Sequence, residues 1–170
     1  MLFHPSLTTI ANYINSVYTE FPMKIFFAGP LTNLEHPDKV KAFYVKLADL
    51  AKKLGAEPFW AFLSGTDPIQ NPDISAEEVY RRDTEQIAKS DLMIAYVGEN
   101  SIGTGEEIEY AKTVNVPVII MYEKGDTISR MLKGNPAVKK EIAFENEDDA
   151  LKQLEAYLST FSLPPRTPIL

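Results

Sequence analysis

The chain predicts an α/β fold of the Rossmann-like or flavodoxin-like kind, a three-layer sandwich around a parallel sheet of about five strands. Three observations carry this. Residues 24–28, 92–97 and 116–122 are short, nearly continuous apolar runs, as expected of strands covered on both faces. Between them lie stretches whose apolar residues recur at helical spacing, such as Val40, Phe43, Tyr44, Leu47 and Leu50. Strands that alternate with helices pair in parallel through crossover connections, and ligands then bind beyond the carboxyl ends of the strands.

Each element can be justified in order. In residues 1–22, Leu7, Ile10, Ile14 and Val17 predict a short amphipathic N-terminal helical extension that ends at Phe21-Pro22. The domain itself spans 23–160. Its first strand, 24–28, runs straight into Gly29-Pro30, the usual position of a ligand-contacting turn. A helix over 37–54 stops at Gly55, and 57–62 reads as the second strand. Residues 64–73 are rich in Gly, Pro, Asp and Asn and form a loop at the strand ends, a candidate lid or base-contacting segment.

Ser75 and Glu78 make a capping box that opens the next helix. There Val79, Asp83 and Ile87 are spaced i, i+4, i+8, so Asp83 falls in the middle of an apolar stripe. A carboxylate facing a core is costly unless it is paired or used. A third strand at 92–97 leads into a Gly-containing motif and a helix to about residue 114. The fourth strand follows at 116–122. Asp126 or Thr127 is expected to cap a helix through Ser129, Met131 and Leu132, closed by Gly134. A short fifth strand at 142–144 and an amphipathic helix over 147–158 complete the domain. The proline-rich 161–170 is an irregular tail.

The motif is Asn100-Ser101-Ile102-Gly103-Thr104-Gly105-Glu106-Glu107-Ile108-Glu109-Tyr110-Ala111. Two glycines one residue apart predict a sharp turn, with the helix starting at Gly105 and its free N–H groups facing an anion. Glu107 then lies in the first helical turn, where the dipole favours its ionised form. At about 100° per residue, Glu107 falls within the buried arc defined by Ile108, Ala111 and Val114, while Glu106 and Glu109 face solvent. A carboxylate aimed at a pocket, joined by a second and partly buried one at Asp83, suits glycosidic chemistry. The motif is no P-loop, for the Lys-Ser/Thr after the glycines is missing, and Ile108 occupies the third glycine position of GxGxxG.

Composition narrows the alternatives. A net charge of −7 argues against binding nucleic-acid polymers. With no cysteine, and with His4 and His36 far apart as the only histidines, a metal site is not expected. No apolar run is long enough for a membrane span and no signal peptide is seen, which points to a cytoplasmic protein.

Three blocks together resemble the nucleoside 2-deoxyribosyltransferase superfamily: Ile25-Phe26-Phe27-Ala28-Gly29-Pro30, then Asp83 with Ile87-Ala88-Lys89-Ser90-Asp91, then Gly103-Thr104-Gly105-Glu106-Glu107. The match spans about residues 24–158. The resemblance implies a Rossmann-like fold and cleavage of the N-glycosidic bond of nucleosides or nucleotides without a cofactor. It implies Glu107 as the nucleophile on the anomeric carbon and Asp83 as its partner carboxylate. Ser101 to Gly105 is similar to the Ser-Leu-Gly-Val-Gly of the 2'-deoxynucleoside 5'-phosphate N-hydrolase branch, whose serine binds phosphate. Ser129 to Gly134 is similar to a later segment of that branch, whose serine reaches the neighbouring subunit's phosphate.

The expectations are therefore a homodimer with Ser129 contributed across the interface, Glu107 and Asp83 as catalytic residues, and substrate contacts from Gly29, Ser101, Gly103, Gly105 and Ser129. The substrate is a nucleoside or nucleoside 5'-monophosphate. The readings kept beside hydrolysis are a deoxyribosyltransferase and a catalytically silent nucleotide-binding module. Two departures stand out. Phe26 occupies the position of a tyrosine that bonds the nucleophile in the family, so that support is either missing or comes from elsewhere, with Tyr80 or Tyr110 as candidates. Pro30-Leu31-Thr32-Asn33 replaces the hydrolases' Arg- and Gly-containing first turn.

Overall fold

The computed structural model describes residues 22–32 and 34–161. The expected N-terminal helix and irregular tail lie outside these apart from Pro22 and Phe161. The element order is β1 (Lys24–Ala28), α1 (Pro37–Lys53), β2 (Glu57–Trp60), α2 (Ala76–Ala88), β3 (Leu92–Tyr96), α3 (Ile102–Thr113), β4 (Val118–Glu123), α4 (Arg130–Lys133), β5 (Val138–Phe144) and α5 (Glu147–Leu158). The five strands form one sheet in the order β2-β1-β3-β4-β5, and every pairing is parallel.

Alternation along the strands explains the three layers. Ile25 and Phe27 of β1, with Ile94 and Tyr96 of β3, pack under α1 and α5 together with Tyr44, Leu47 and Leu154. Phe26 and Ala28, with Met93 and Ala95, face the other way and pack under α2 and α3 against Ile87, Ile108 and Ala111. The central strands β1, β3 and β4 are covered on both faces, hence their unbroken apolar sequences.

Both edge strands carry their position in their composition. Pro58 in β2 has no N–H to donate, which an edge tolerates. Lys139, Lys140 and Glu141 make the first half of β5 exposed and charged, which discourages pairing with another sheet. Those charges hide the start of β5, so the strand is longer than the 142–144 read from apolar residues alone. At the other edge β2 is shorter than expected, because Ala61–Leu63 turns into a 3₁₀ helix.

The largest correction concerns the glycine motif. Helix α3 starts at Ile102, with Ser101 as its N-cap, so Gly103 and Gly105 are helical residues rather than a turn. The Ser101 side chain accepts the N–H of Thr104 at 3.2 Å, the usual bond of a serine cap. A sharp turn at the glycines loses to this cap, and Glu107 moves into the second helical turn. Helix α4 starts at Arg130, so its N-cap position is Ser129, which makes no side-chain cap bond, rather than Asp126 or Thr127. The Asp126 carboxylate instead accepts the N–H of Glu123 at 3.1 Å.

Candidate active site

In this strand order the chain leaves β1 toward one side of the sheet and returns to β3 on the other. Such a switch point opens a crevice at the carboxyl ends of the two strands. Gly29 follows β1 there, and the segment after β3 leads to α3. A cavity of about 350 Å³ fills this crevice. Its lining includes Gly29, Asp83, Ser101, Gly103, Thr104 and Glu107. The structure thus brings five of the seven residues singled out in the sequence into one cleft. Gly105 and Ser129 line a neighbouring cavity of about 320 Å³, which Ser101 also borders.

Helix α3 divides its glutamates as the helical angles predict. Glu106 and Glu109 are exposed, and Glu109 pairs with Lys112 and accepts from the Asn135 amide at 3.1 Å. Glu107 is half-buried and turned to the cleft. Burial, then the charges of Asp83 and Glu106, push its carboxyl up to about 8. The expectation that the helix dipole keeps it ionised is therefore overturned for the free protein. In the second turn the dipole is weak, and desolvation dominates.

Asp83 comes from α2, whose Ser75 cap accepts the N–H of Glu78 at 3.2 Å as the capping box requires. Asp83 is 9% exposed, and burial pushes its carboxyl up to about 6 against the opposing charge of Arg82. That arginine is engaged elsewhere, with Glu78 at 2.6 Å. Asp83 Oδ1 has no hydrogen-bond partner, and neither carboxylate of the pair is tied to an arginine or lysine among the described residues. Two neighbouring carboxylates, both shifted upward by burial, favour sharing a proton and titrate as a unit. The arrangement can supply an anionic nucleophile and a proton donor in one cleft.

Ser101 stands at the start of α3. As the N-cap it leaves the N–H groups of Ile102 and Gly103 without intrahelical acceptors. Gly29 has a steric role that sequence alone could not assign. A Cβ there would fall 2.3 Å from the hydroxyl of Tyr44. Tyr44 is fully buried, donates to the carbonyl of Pro30 at 3.1 Å, and so holds the turn after β1.

Other lining groups escaped the sequence reading. Trp60 ends β2 with its ring stacked on Tyr44 at 4.2 Å and Phe27 at 5.0 Å between centroids. Pro68, Asn71 and Pro72 come from the 64–73 loop, which Asp67 anchors. Asp67 is fully buried, pairs with Lys41 of α1, and accepts the N–H groups of Ile69 and Gln70 at 2.8 and 3.1 Å. Burial pushes its carboxyl up, but Lys41 and these N–H groups outweigh it and hold the group below its ordinary value. The signal was present as an Asp with Pro following it, yet the partner lies 26 residues away.

Phe26 packs against Phe59 in the core, with 5.5 Å between ring centroids, and has no reach into the cleft. Tyr80 and Tyr110, the expected substitutes for a tyrosine there, border Glu107 in a separate groove between α2 and α3 but donate no hydrogen bond to it. Among the described residues no cluster of His, Cys, Asp and Glu could hold a metal ion, and no helix is long and apolar enough to cross a membrane.

No family model matches the chain. A protein of Syntrophotalea carbinolica is 29% identical over 147 residues, covering 85% of this chain and 100% of that one. A protein of Methanosarcina mazei is 33% identical over 112 residues, covering 65% of this chain and 70% of that one. Both carry the provisional name 2'-deoxynucleoside 5'-phosphate N-hydrolase 1. Two solved structures share the fold. A CMP N-glycosidase of Clostridium botulinum superposes with a TM-score of 0.63 at 21% identity, covering 79% of this chain and 98% of that one. A 2-deoxyribosyltransferase of Bacillus psychrosaccharolyticus superposes with a TM-score of 0.61 at 22% identity, covering 85% and 99%. The cleft with its two carboxylates is thus found in a chain that belongs to the 2'-deoxynucleoside 5'-phosphate N-hydrolase family.

Proposed function

We propose that the protein hydrolyses the base–sugar bond of (deoxy)nucleoside 5'-monophosphates, with Glu107 as the nucleophile. The observation that carries this reading is the pairing of Asp83 and Glu107 on the wall of one cleft at the sheet's switch point. The reaction starts from the form in which the proton shared by the pair has passed from Glu107 to Asp83, and the ionised Glu107 then attacks the anomeric carbon as the bond to the base nitrogen breaks. The electron pair leaves with the base, and Asp83 delivers the proton that neutralises it. A water molecule then attacks the glycosyl ester, gives up its proton to the Asp83 carboxylate, and releases the sugar phosphate and free Glu107. The cycle returns the protein to its starting state and needs no cofactor.

Ser101 and the first N–H groups of α3 are suited to the 5'-phosphate, since a helix start offers both donors and a favourable dipole. Ser129 shares a cavity with Ser101 rather than the cleft of Glu107. The reading therefore keeps a homodimer in which Ser129 acts on a partner's substrate, and sedimentation at twice the 19.1 kDa chain mass is the outcome expected for it. A cytoplasmic location accords with a free-nucleotide substrate.

The deciding experiment incubates the protein with a panel of nucleoside monophosphates and the matching unphosphorylated nucleosides, with and without an acceptor base. Free base from the phosphorylated set alone is expected. Base exchange on unphosphorylated deoxynucleosides would replace this reading with the transferase, and tight binding without turnover would replace it with the silent binding module.

A further inference from the structure

Three buried side-chain polar atoms have no hydrogen-bond partner among the described residues: Trp60 Nε1, Asp83 Oδ1 and Thr104 Oγ1. All three residues line the cleft of Glu107. Buried hydroxyls are nearly always paired, so an orphan beside a reaction centre calls for a use. Thr104 is 5% exposed and is fixed by its backbone, whose N–H is held by the Ser101 cap. It stands one turn before Glu107 on α3. Residues i and i+3 share a helix face, and a glutamate side chain leans back toward the helix start, over the residue one turn earlier.

We propose that the Thr104 hydroxyl is a positioning donor for Glu107: once Glu107 has lost its proton, its side chain settles back over Thr104 and its carboxylate accepts a hydrogen bond from that hydroxyl. The assignment rests on the reading of Glu107 as nucleophile. Glu107 accepts no hydrogen bond from any other described residue. Its charged neighbours do not take the role. Asp83 on α2 and Glu106 on α3 are carboxylates that oppose its ionisation, and Arg82 is held by Glu78. Tyr44 on α1 is near enough to feel the Glu107 charge, yet its hydroxyl is spent on Pro30. A threonine can serve either carboxylate state, because its hydroxyl rotates and a protonated Glu107 needs no donor. The bond forms when charge appears, which is when a nucleophile needs orienting.

The test compares Thr104→Val, which keeps the shape and removes the hydroxyl, with Thr104→Ser, which keeps the hydroxyl. The Val variant is expected to lose about 10- to 100-fold in kcat with KM within about twofold, the scale of one hydrogen bond to a charged group. Its acid limb in the pH profile moves to higher pH by about one unit. The Ser variant stays close to wild type. Carbon-13 titration of the Glu107 carboxyl, assigned against Glu107→Gln, should show a raised midpoint in the Val variant alone. Unchanged kcat and midpoint in Thr104→Val would overturn the proposal, as would equal impairment of both variants, which would mean packing. If wild-type protein releases no base from any nucleotide, the functional reading fails. The titration then decides the role of Thr104 by itself.

Discussion

The hydroxyl of Tyr44 occupies the space that a side chain on Gly29 would need, with only 2.3 Å between that oxygen and a Cβ built on the glycine. Gly29→Ala must therefore push a fully buried tyrosine off Trp60 and off the Pro30 carbonyl. Overpacking of this kind costs about 1–3 kcal/mol. Denaturant unfolding should show that loss, and KM should rise because the turn after β1 forms part of the cleft.

Glu107 and Glu106 are neighbours in sequence but face different surroundings. Glu107→Ala is expected to reduce base release by about 10³-fold or more, while Glu106→Gln stays within about threefold of wild type. Single-turnover assays with a nucleoside monophosphate check both. Full activity in Glu107→Ala would exclude the nucleophilic role.

Stability should depend on pH through the same group. The carboxyl of Glu107 is raised on folding from an ordinary 4.5 to about 8, so the native state holds a proton that the unfolded chain releases. Its contribution is complete below about pH 4.5 and is lost as pH rises through 8. Asp83, raised to about 6, adds a loss in the same direction over a lower range. Glu107→Gln abolishes the greater of these two losses, and its Tm at pH 8.5 should exceed that of wild type by about 5 °C, with a smaller difference at pH 5. A thermal-melt series at several pH values measures this. Removing the Asp83 charge should also bring the Glu107 titration back toward its ordinary value.

Lys41 and Asp67 tie the 64–73 loop to α1. Lys41→Met would leave a fully buried carboxylate without its counter-charge, at a cost of about 3 kcal/mol or more. Adding Asp67→Asn should recover part of that loss. Because Thr66, Pro68 and Asn71 line the cleft, the single variant should also bind substrate more weakly, which calorimetry on a non-hydrolysable nucleotide analogue would detect.

Much of this protein is legible before any coordinate is seen. The buried strands announce themselves through unbroken apolar runs, and α5 begins and ends at the residues its pattern names. Asp83 betrays itself as one charge in an apolar stripe, and helical angles select Glu107 from three glutamates. What stayed hidden depends on partners distant in sequence. Nothing local says that Lys41 meets Asp67, that Tyr44 fills the space above Gly29, or that Thr104 is left without a partner. The glycine motif misled because two glycines suggest a turn, whereas a serine cap just before them is enough to start a helix. The first half of β5 was lost because an edge strand needs no apolar alternation.

Asp83 and Glu107 also border the groove of about 790 Å³ between α2 and α3, lined by Val79, Tyr80, Tyr110 and Thr113. The two carboxylates therefore line both the cleft and the groove. On the proposed reading a nucleotide takes the cleft with its phosphate and base, and the groove holds neither. A compact, uncharged aromatic molecule lodged in the groove would touch both carboxylates while leaving the nucleotide's own contacts free. Its inhibition would persist at saturating substrate.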